Sequence, residues 1–181
     1  MRAGGFTFFC ASVIGGVILI DTGTEIFVKG GFCYKGRRVM IYTDLTKKAI
    51  KVAFDAHAGQ LDRSGMPYIL HPIHVAEQMK DEDTCVAALL HDVVEDTDIT
   101  IEELRSYGFT EKQLEAVRLL THLEEVDYLD YVRNLKDNPI AKAVKIEDLK
   151  HNSDVTRMGT LSEDDRDRFE KYKKAMEILV G

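Results

Sequence analysis

From residue 40 onward the sequence predicts an all-α fold, a bundle of about eight helices, preceded by an irregular or β-prone extension. Three observations predict it. Apolar residues after Met40 recur at helical spacing, as in Leu45, Ala49, Val52, Ala53 and Ala56. Helix-start signals punctuate the chain, among them Thr100-x-x-Glu103, Thr110-x-x-Gln113 and Ser162-x-x-Asp165. No stretch past Met40 alternates apolar and polar residues for long enough to argue for a strand.

Taken in order, Asp44 can cap a first helix whose apolar stripe runs to Ala56. Gly59 to Leu70 reads as a polar loop containing Gly65 and Pro67. Pro72 suits a first helical position, which places His71 at the mouth of a helix over 73–80. Asp83 opens the next helix, and its run Cys85-Val-Ala-Ala-Leu-Leu90 is apolar all round. Thr100 and Thr110 start a short helix and a longer one reaching about Leu120. Helices over 126–136 and 140–150 are separated by the break Asp137-Asn138-Pro139. Ser162 begins a final, charged helix ending near Leu179.

Residues 1–39 have a different composition. They hold 8 of the 13 glycines, none of the 6 histidines, and five basic against two acidic side chains. Phe6 to Ile20 carries no charge, but its 15 residues fall short of the ~20 a bilayer-spanning helix needs. Three readings are open: a β-prone extension, a weak membrane or signal segment following Arg2, or translated upstream sequence with the native start at Met40. The last is favoured because Met40 directly precedes the first well-patterned helix. The function is therefore sought in residues 40–181.

Composition bounds that function. The 181 residues carry 24 Lys+Arg against 31 Asp+Glu, a net charge of −7. An acidic chain without a basic recognition helix is a poor partner for nucleic acid, whose phosphates demand a basic face. No stable membrane association is expected. A chain this long buries roughly 70% of its unfolded surface and needs no staple. Cys10, Cys33 and Cys85 are too scattered for a disulfide framework or a CxxC zinc site, so a reducing, cytoplasmic setting is the simplest reading.

The chemistry concentrates at His91-Asp92-Val-Val-Glu95-Asp96-Thr97, directly after the buried apolar run. Ionisable groups beside a hydrophobic core are costly unless paired. A helix continuing through this motif would set His91 beside Glu95 and Asp92 beside Asp96, one pair fit for a metal and one for its water. The bland alternative is a solvated helix end, where each acidic group opposes the macrodipole at a cost of ~0.3–1 kcal/mol. His71 lies 20 residues upstream of His91, and Asp148 lies 56 residues after Asp92 in an apolar-patterned helix. Two His and two Asp without Cys form a borderline-to-hard donor set suited to manganese, iron or magnesium. His57, His74, His122 and His151 have no assigned role by this logic.

The pattern His71…His91-Asp92…Asp148 resembles the H…HD…D signature of HD-domain metal-dependent phosphohydrolases. The surrounding segments Ala56-His-Ala-Gly-Gln60, Ser64-Gly-Met-Pro-Tyr-Ile-Leu-His-Pro72, Ala87-Ala-Leu-Leu-His-Asp-Val-Val-Glu-Asp-Thr97 and Lys145-Ile-Glu-Asp-Leu-Lys-His-Asn152 are similar to the RelA/SpoT hydrolase domain. That family removes the 3′-pyrophosphate of the alarmones ppGpp and pppGpp. The resemblance covers about Leu45 to Met158 and is closest to small stand-alone alarmone hydrolase-like proteins, with no room for a synthetase domain. It implies an HD-domain helical bundle with His71, His91, Asp92 and Asp148 as metal ligands, and a divalent metal, usually manganese, as cofactor. It further implies Glu95 and Asp96 as the catalytic acidic pair, and Arg63, Ser64 and Asn152 near a small-molecule nucleotide substrate.

Two positions depart from the family. Asp62 stands where one of two adjacent basic residues is usual, and Leu149 stands where an arginine often follows the aspartate. Lys145, Lys150 and Arg63 are candidates to hold phosphate charge, with a solvated surface role as the alternative for each. The altered loop keeps open a phosphohydrolase of another nucleotide, a nucleoside monophosphate or an NADPH-type dinucleotide. A nucleotide-sensing module without turnover is a further alternative, opposed by the complete acidic pair.

Overall fold

The structure, a computed structural model, describes five short strands within residues 10–38, and residues 40–157 and 162–181. The strands β1 (Cys10–Ile14), β2 (Val17–Asp21), β3 (Glu25–Val28), β4 (Gly31–Tyr34) and β5 (Arg37–Arg38) pair antiparallel in chain order. Cys10 faces Asp21 across the first pair, and Glu25 faces Tyr34 across the third. Residues 1–9, 15–16, 22–24, 29–30, 35–36 and 39 lie outside the described residues.

Past Met40 the described residues are helical. α1 spans Asp44–Ala56, α2 Leu70–Glu77, α3 Glu82–Leu90, α4 Val93–Asp96 and α5 Ile101–Ser106. α6 spans Glu111–Leu120, α7 Tyr128–Asn134, α8 Pro139–Asn152 and α9 Glu163–Val180, with a short 3-10 turn at Val155–Arg157. Eight of these meet the expected series; the ninth, α4, is a single turn split from the end of α3. No helix among the described residues is long and apolar enough to cross a membrane.

The caps explain most of the boundaries. Thr43, not Asp44, caps α1, in a reciprocal box with Thr46. Asp44 occupies the first turn instead, where its charge still favours the helix dipole. Asp81, not Asp83, caps α3 by accepting the Thr84 N–H at 2.9 Å. Thr100, Thr110 and Ser162 cap α5, α6 and α9 in boxes with Glu103, Gln113 and Asp165, as their spacing predicts. At the end of α5, Gly108 takes φ +88°, and Lys48 donates to the Tyr107 carbonyl at 2.6 Å.

The core is organised around α3. Cys85, Val86, Ala87, Ala88, Leu89 and Leu90 are all fully buried, so the helix has no wet face. It packs against α1, α2, α6 and α8. Ala49 and Ala53 of α1 let that helix approach closely, while Leu114 and Val117 of α6 and Val144 of α8 fill the other sides. Full burial of each large aliphatic side chain contributes roughly 1.5–3 kcal/mol. This dry centre positions the groups that leave its C-terminal end.

Candidate metal centre and nucleotide cleft

His91 is the first residue beyond α3, and its ring decides where that helix stops. Its Nδ1–H donates to the Ala88 carbonyl at 2.7 Å, the acceptor a continuing helix would offer to the Asp92 N–H. The chain turns through Asp92 (φ −98°, ψ −6°) and resumes as α4, with the Asp96 N–H bonded to the Asp92 carbonyl at 2.8 Å. A helix continuing unbroken through the motif is therefore not what forms. Glu95 does not lie against His91 but turns to accept the His122 N–H at 2.7 Å.

α2 supplies the second imidazole. It begins at Leu70 rather than at Pro72, and it ends at Glu77 rather than at 80. Pro72 still falls in the first turn, where its missing N–H costs nothing. His71 is consequently inside the helix and buried. α8 supplies the remaining groups. Asn138 accepts from the N–H groups of Ile140 and Ala141, Pro139 occupies the first turn, and Lys145, Asp148, His151 and Asn152 follow along one side of the helix.

These elements bring four of the expected side chains together. The Nε2 atoms of His71 and His91 lie 3.2 Å apart. Asp92 Oδ2 is 3.1 Å from His91 Nε2 and 3.5 Å from His71 Nε2. Asp148 Oδ1 is 3.2 Å from His71 Nε2 and 3.9 Å from His91 Nε2. His71, His91 and Asp92 place ligand atoms within 4.8 Å of one another, and Asp148 joins from the α8 side. Adjacent ligands on an octahedral ion with bonds of about 2.1 Å lie about 3.0 Å apart, so the spacing of His71, His91 and Asp92 suits one divalent cation, with Asp148 beside them against His71.

Outer partners orient these donors. The Ala88 contact leaves the His91 Nε2 lone pair facing the centre. His71 Nδ1 meets His151 Nδ1 at 2.6 Å, which turns its Nε2 inward in the same way. The Tyr68 hydroxyl donates to Asp92 Oδ2 at 2.6 Å, and Asn152 Nδ2 donates to Asp148 Oδ1 at 2.5 Å. Lys145 Nζ sits 2.9 Å from Asp148 Oδ2, above the rings of Tyr131 and Tyr128.

The electrostatics follow from this packing. Burial alone would lift the Asp148 carboxyl, but the adjacent Lys145 ammonium together with the His71 and His91 imidazoles outweighs it and holds Asp148 well below the usual range. Lys145 resists the same burial because Asp148 faces it, and its pKa stands well above normal. Burial pulls His91 down, yet Asp92 and Asp148 overcome it and raise the imidazole to about 9. His151, buried beside His71 and Arg157, is pushed down to about 3 and stays neutral. Glu95 and Asp96 are exposed on one side and crowded by protein on the other; this desolvation, with the negative charge of Asp92, raises both carboxyls.

A cleft of about 650 Å³ opens beside the centre, lined by His71, Tyr68 and Asn152 together with Arg63, Ser64 and Arg157. Its loop is tied by an isolated bridge between Leu61 and Pro67, with Gly65 at φ +79° closing the turn. Arg63 is exposed at the rim, 3.6 Å from Asp165 of α9. The two lysines considered with it lie elsewhere. Lys150 pairs with Glu147 on the outside of α8, and Lys145 is bound to Asp148.

Sequence reasoning passed over Tyr68, His151 and Arg157. His151 carried a signal, because it stands three residues after Asp148 on the same helix. Arg157 carried none, since it enters the cleft only through the turn after α8.

The HD-domain family model matches residues 49–168 of this chain. The chain belongs to the HD-domain family. Its HD domain is related to the bifunctional (p)ppGpp synthase/hydrolase SpoT of Escherichia coli, which is 34% identical over 138 residues, covering 68% of this chain and 19% of that protein. The guanosine-3′,5′-bis(diphosphate) 3′-pyrophosphohydrolase of Vibrio cholerae is 42% identical over 88 residues, 46% of this chain and 12% of that protein. This chain thus spans 19% or less of the length of these curated relatives. A solved metazoan ortholog of SpoT, described as hydrolysing ppGpp, superimposes with a TM-score of 0.63 at 27% identity, covering 79% of this chain and 89% of that one.

Proposed function

We propose that residues 40–181 form an HD phosphohydrolase that removes the 3′-pyrophosphate of ppGpp and pppGpp with a divalent metal, manganese, held by His71, His91, Asp92 and Asp148. The observation that supports this reading is the cluster of His71, His91 and Asp92, with Asp148 of α8 in contact with His71, beside an open cleft. The relatives named for ppGpp hydrolysis supply the substrate.

A bound divalent ion would supply Lewis acidity, lowering the pKa of water and offsetting the charge of the attacked phosphate. Glu95 and Asp96 stand at the exposed edge of the centre, and their raised carboxyls suit them to orient the attacking water and accept its proton. Tyr68 holds Asp92, and Lys145 holds Asp148, in the orientation the metal needs. Arg63, Ser64 and Asn152 line the cleft and would contact the nucleotide.

The carboxylate of Asp62 in the same cleft favours a second reading, a phosphohydrolase of a less charged nucleotide such as a nucleoside monophosphate or an NADPH-type dinucleotide. One assay separates the two. The manganese-loaded protein is offered ppGpp, pppGpp, nucleoside monophosphates and dinucleotide phosphates side by side, with pyrophosphate and phosphate release measured. Pyrophosphate from the alarmones is expected. Activity on the other two groups alone defeats the alarmone reading, and inactivity on all of them defeats the enzyme reading.

A further inference from the structure

The cleft carries its cations already paired. Arg157 Nη2 donates to Asp62 Oδ2 at 2.7 Å, and Arg63 and Arg168 both face Asp165, at 3.6 and 3.0 Å. A phosphate entering this cleft therefore meets no excess of positive charge. It has to compete with a carboxylate for each guanidinium.

The Arg157–Asp62 pair is the most firmly built of these. Asp62 cannot swing away, because its Oδ1 accepts from the Ser64 N–H at 2.8 Å, the Ser64 hydroxyl at 2.6 Å and the Met66 N–H at 3.0 Å. Arg157 is pinned from its other side, with Nη1 3.1 Å from both the His151 Nδ1 and the His151 carbonyl. These three contacts use three of the five guanidinium N–H groups, leaving those on Nε and the second on Nη2 for a ligand. Both side chains are partly buried, 27% and 15% exposed, so their charges are incompletely screened by solvent. A fixed guanidinium with spare donors suits a phosphate group; a fixed carboxylate beside it repels each added negative charge.

We propose that Arg157 is the residue that takes a phosphate group of the nucleotide in this cleft, and that Asp62 is a charge filter limiting how many phosphates the bound nucleotide can carry. This rests on the nucleotide phosphohydrolase reading above and assigns its selectivity: the tetraphosphate alarmone is preferred to the pentaphosphate.

The test uses the full chain and two sets of variants. Asp62→Asn keeps an Oδ1 acceptor for Ser64 and Met66, so the loop is retained while the negative charge is removed. Arg157→Gln removes the guanidinium, and Arg157→Lys keeps its charge. Binding of ppGpp and of pppGpp is measured by equilibrium dialysis with metal chelated, and Mn²⁺ binding is measured separately by calorimetry as a check on the centre. Wild type is expected to bind ppGpp more tightly than pppGpp. Asp62→Asn should tighten pppGpp about tenfold and ppGpp less, narrowing the gap, and Arg157→Gln should weaken both about tenfold with partial recovery in Arg157→Lys. A change of less than twofold for pppGpp in Asp62→Asn, or unchanged binding in Arg157→Gln, overturns the proposal. If the manganese-loaded wild type hydrolyses neither alarmone while Asp62→Asn still tightens binding, the proposed reaction fails and the charge filter stands. If no variant binds either alarmone, both fall.

Discussion

Replacing Asp148 with Asn changes one charge and almost no volume, so it isolates the electrostatic role of a single buried group. In the metal-free protein this carboxylate is 4% exposed and lies 2.9 Å from the Lys145 ammonium, itself 14% exposed. Asp148→Asn leaves that ammonium buried above two tyrosine rings without a counter-charge. Removing one partner of a buried pair typically costs ~3–5 kcal/mol. The low end, about 3 kcal/mol, is expected here, because the amide oxygen can still accept from Lys145. For a chain of this size that corresponds to a melting temperature lower by roughly 6–12 °C. Urea unfolding at pH 7 with metal chelated measures it directly. Adding Lys145→Met to Asp148→Asn removes the stranded charge and should restore most of the loss, a coupling readable in a double-mutant cycle. A loss under about 1 kcal/mol, or a double variant no more stable than the single one, would refute the argument that these two charges hold each other in the core.

Other outcomes follow from the same geometry. Asp92→Ala should abolish Mn²⁺ binding by calorimetry, whereas Glu95→Ala should leave it intact and stop turnover; normal turnover in Glu95→Ala would end its assigned role. In the metal-free protein His91 is held protonated up to about pH 9, so its contribution to stability is full below its unfolded value near 6.5 and fades as pH rises to 9. The metal competes with that proton, so Mn²⁺ affinity should climb about tenfold per pH unit across this window, with protons released on binding. Mn²⁺ binding that releases no proton between pH 6 and 8 would contradict it. In the core, Leu89→Ala should cost about 2–5 kcal/mol, because a fully buried side chain in the central helix leaves a cavity.

Much of the fold was legible because its signals are local. The three capping boxes at Thr100, Thr110 and Ser162 appear as their spacing predicts, since a cap is made by residues three apart. The errors at α1 and α3 have the same origin: Thr43 and Asp44, and Asp81 and Asp83, are all competent caps, and backbone geometry selects between them. The break after Leu90 was invisible because the apolar run gives no hint that the His91 ring will take the Ala88 carbonyl.

By itself the sequence determined the helical class, the buried run before His91, and a donor set of two imidazoles and two carboxylates, because residue type and period fix these without reference to distant parts of the chain. Only the tertiary structure decided that α2, the turn after α3 and α8 bring those side chains into contact. It also decided that Lys145 neutralises Asp148 rather than reaching into the cleft, and that Arg157 faces Asp62 across 95 residues of sequence. Charge pairing is set by distance in space and by burial, and neither of these is written in residue order.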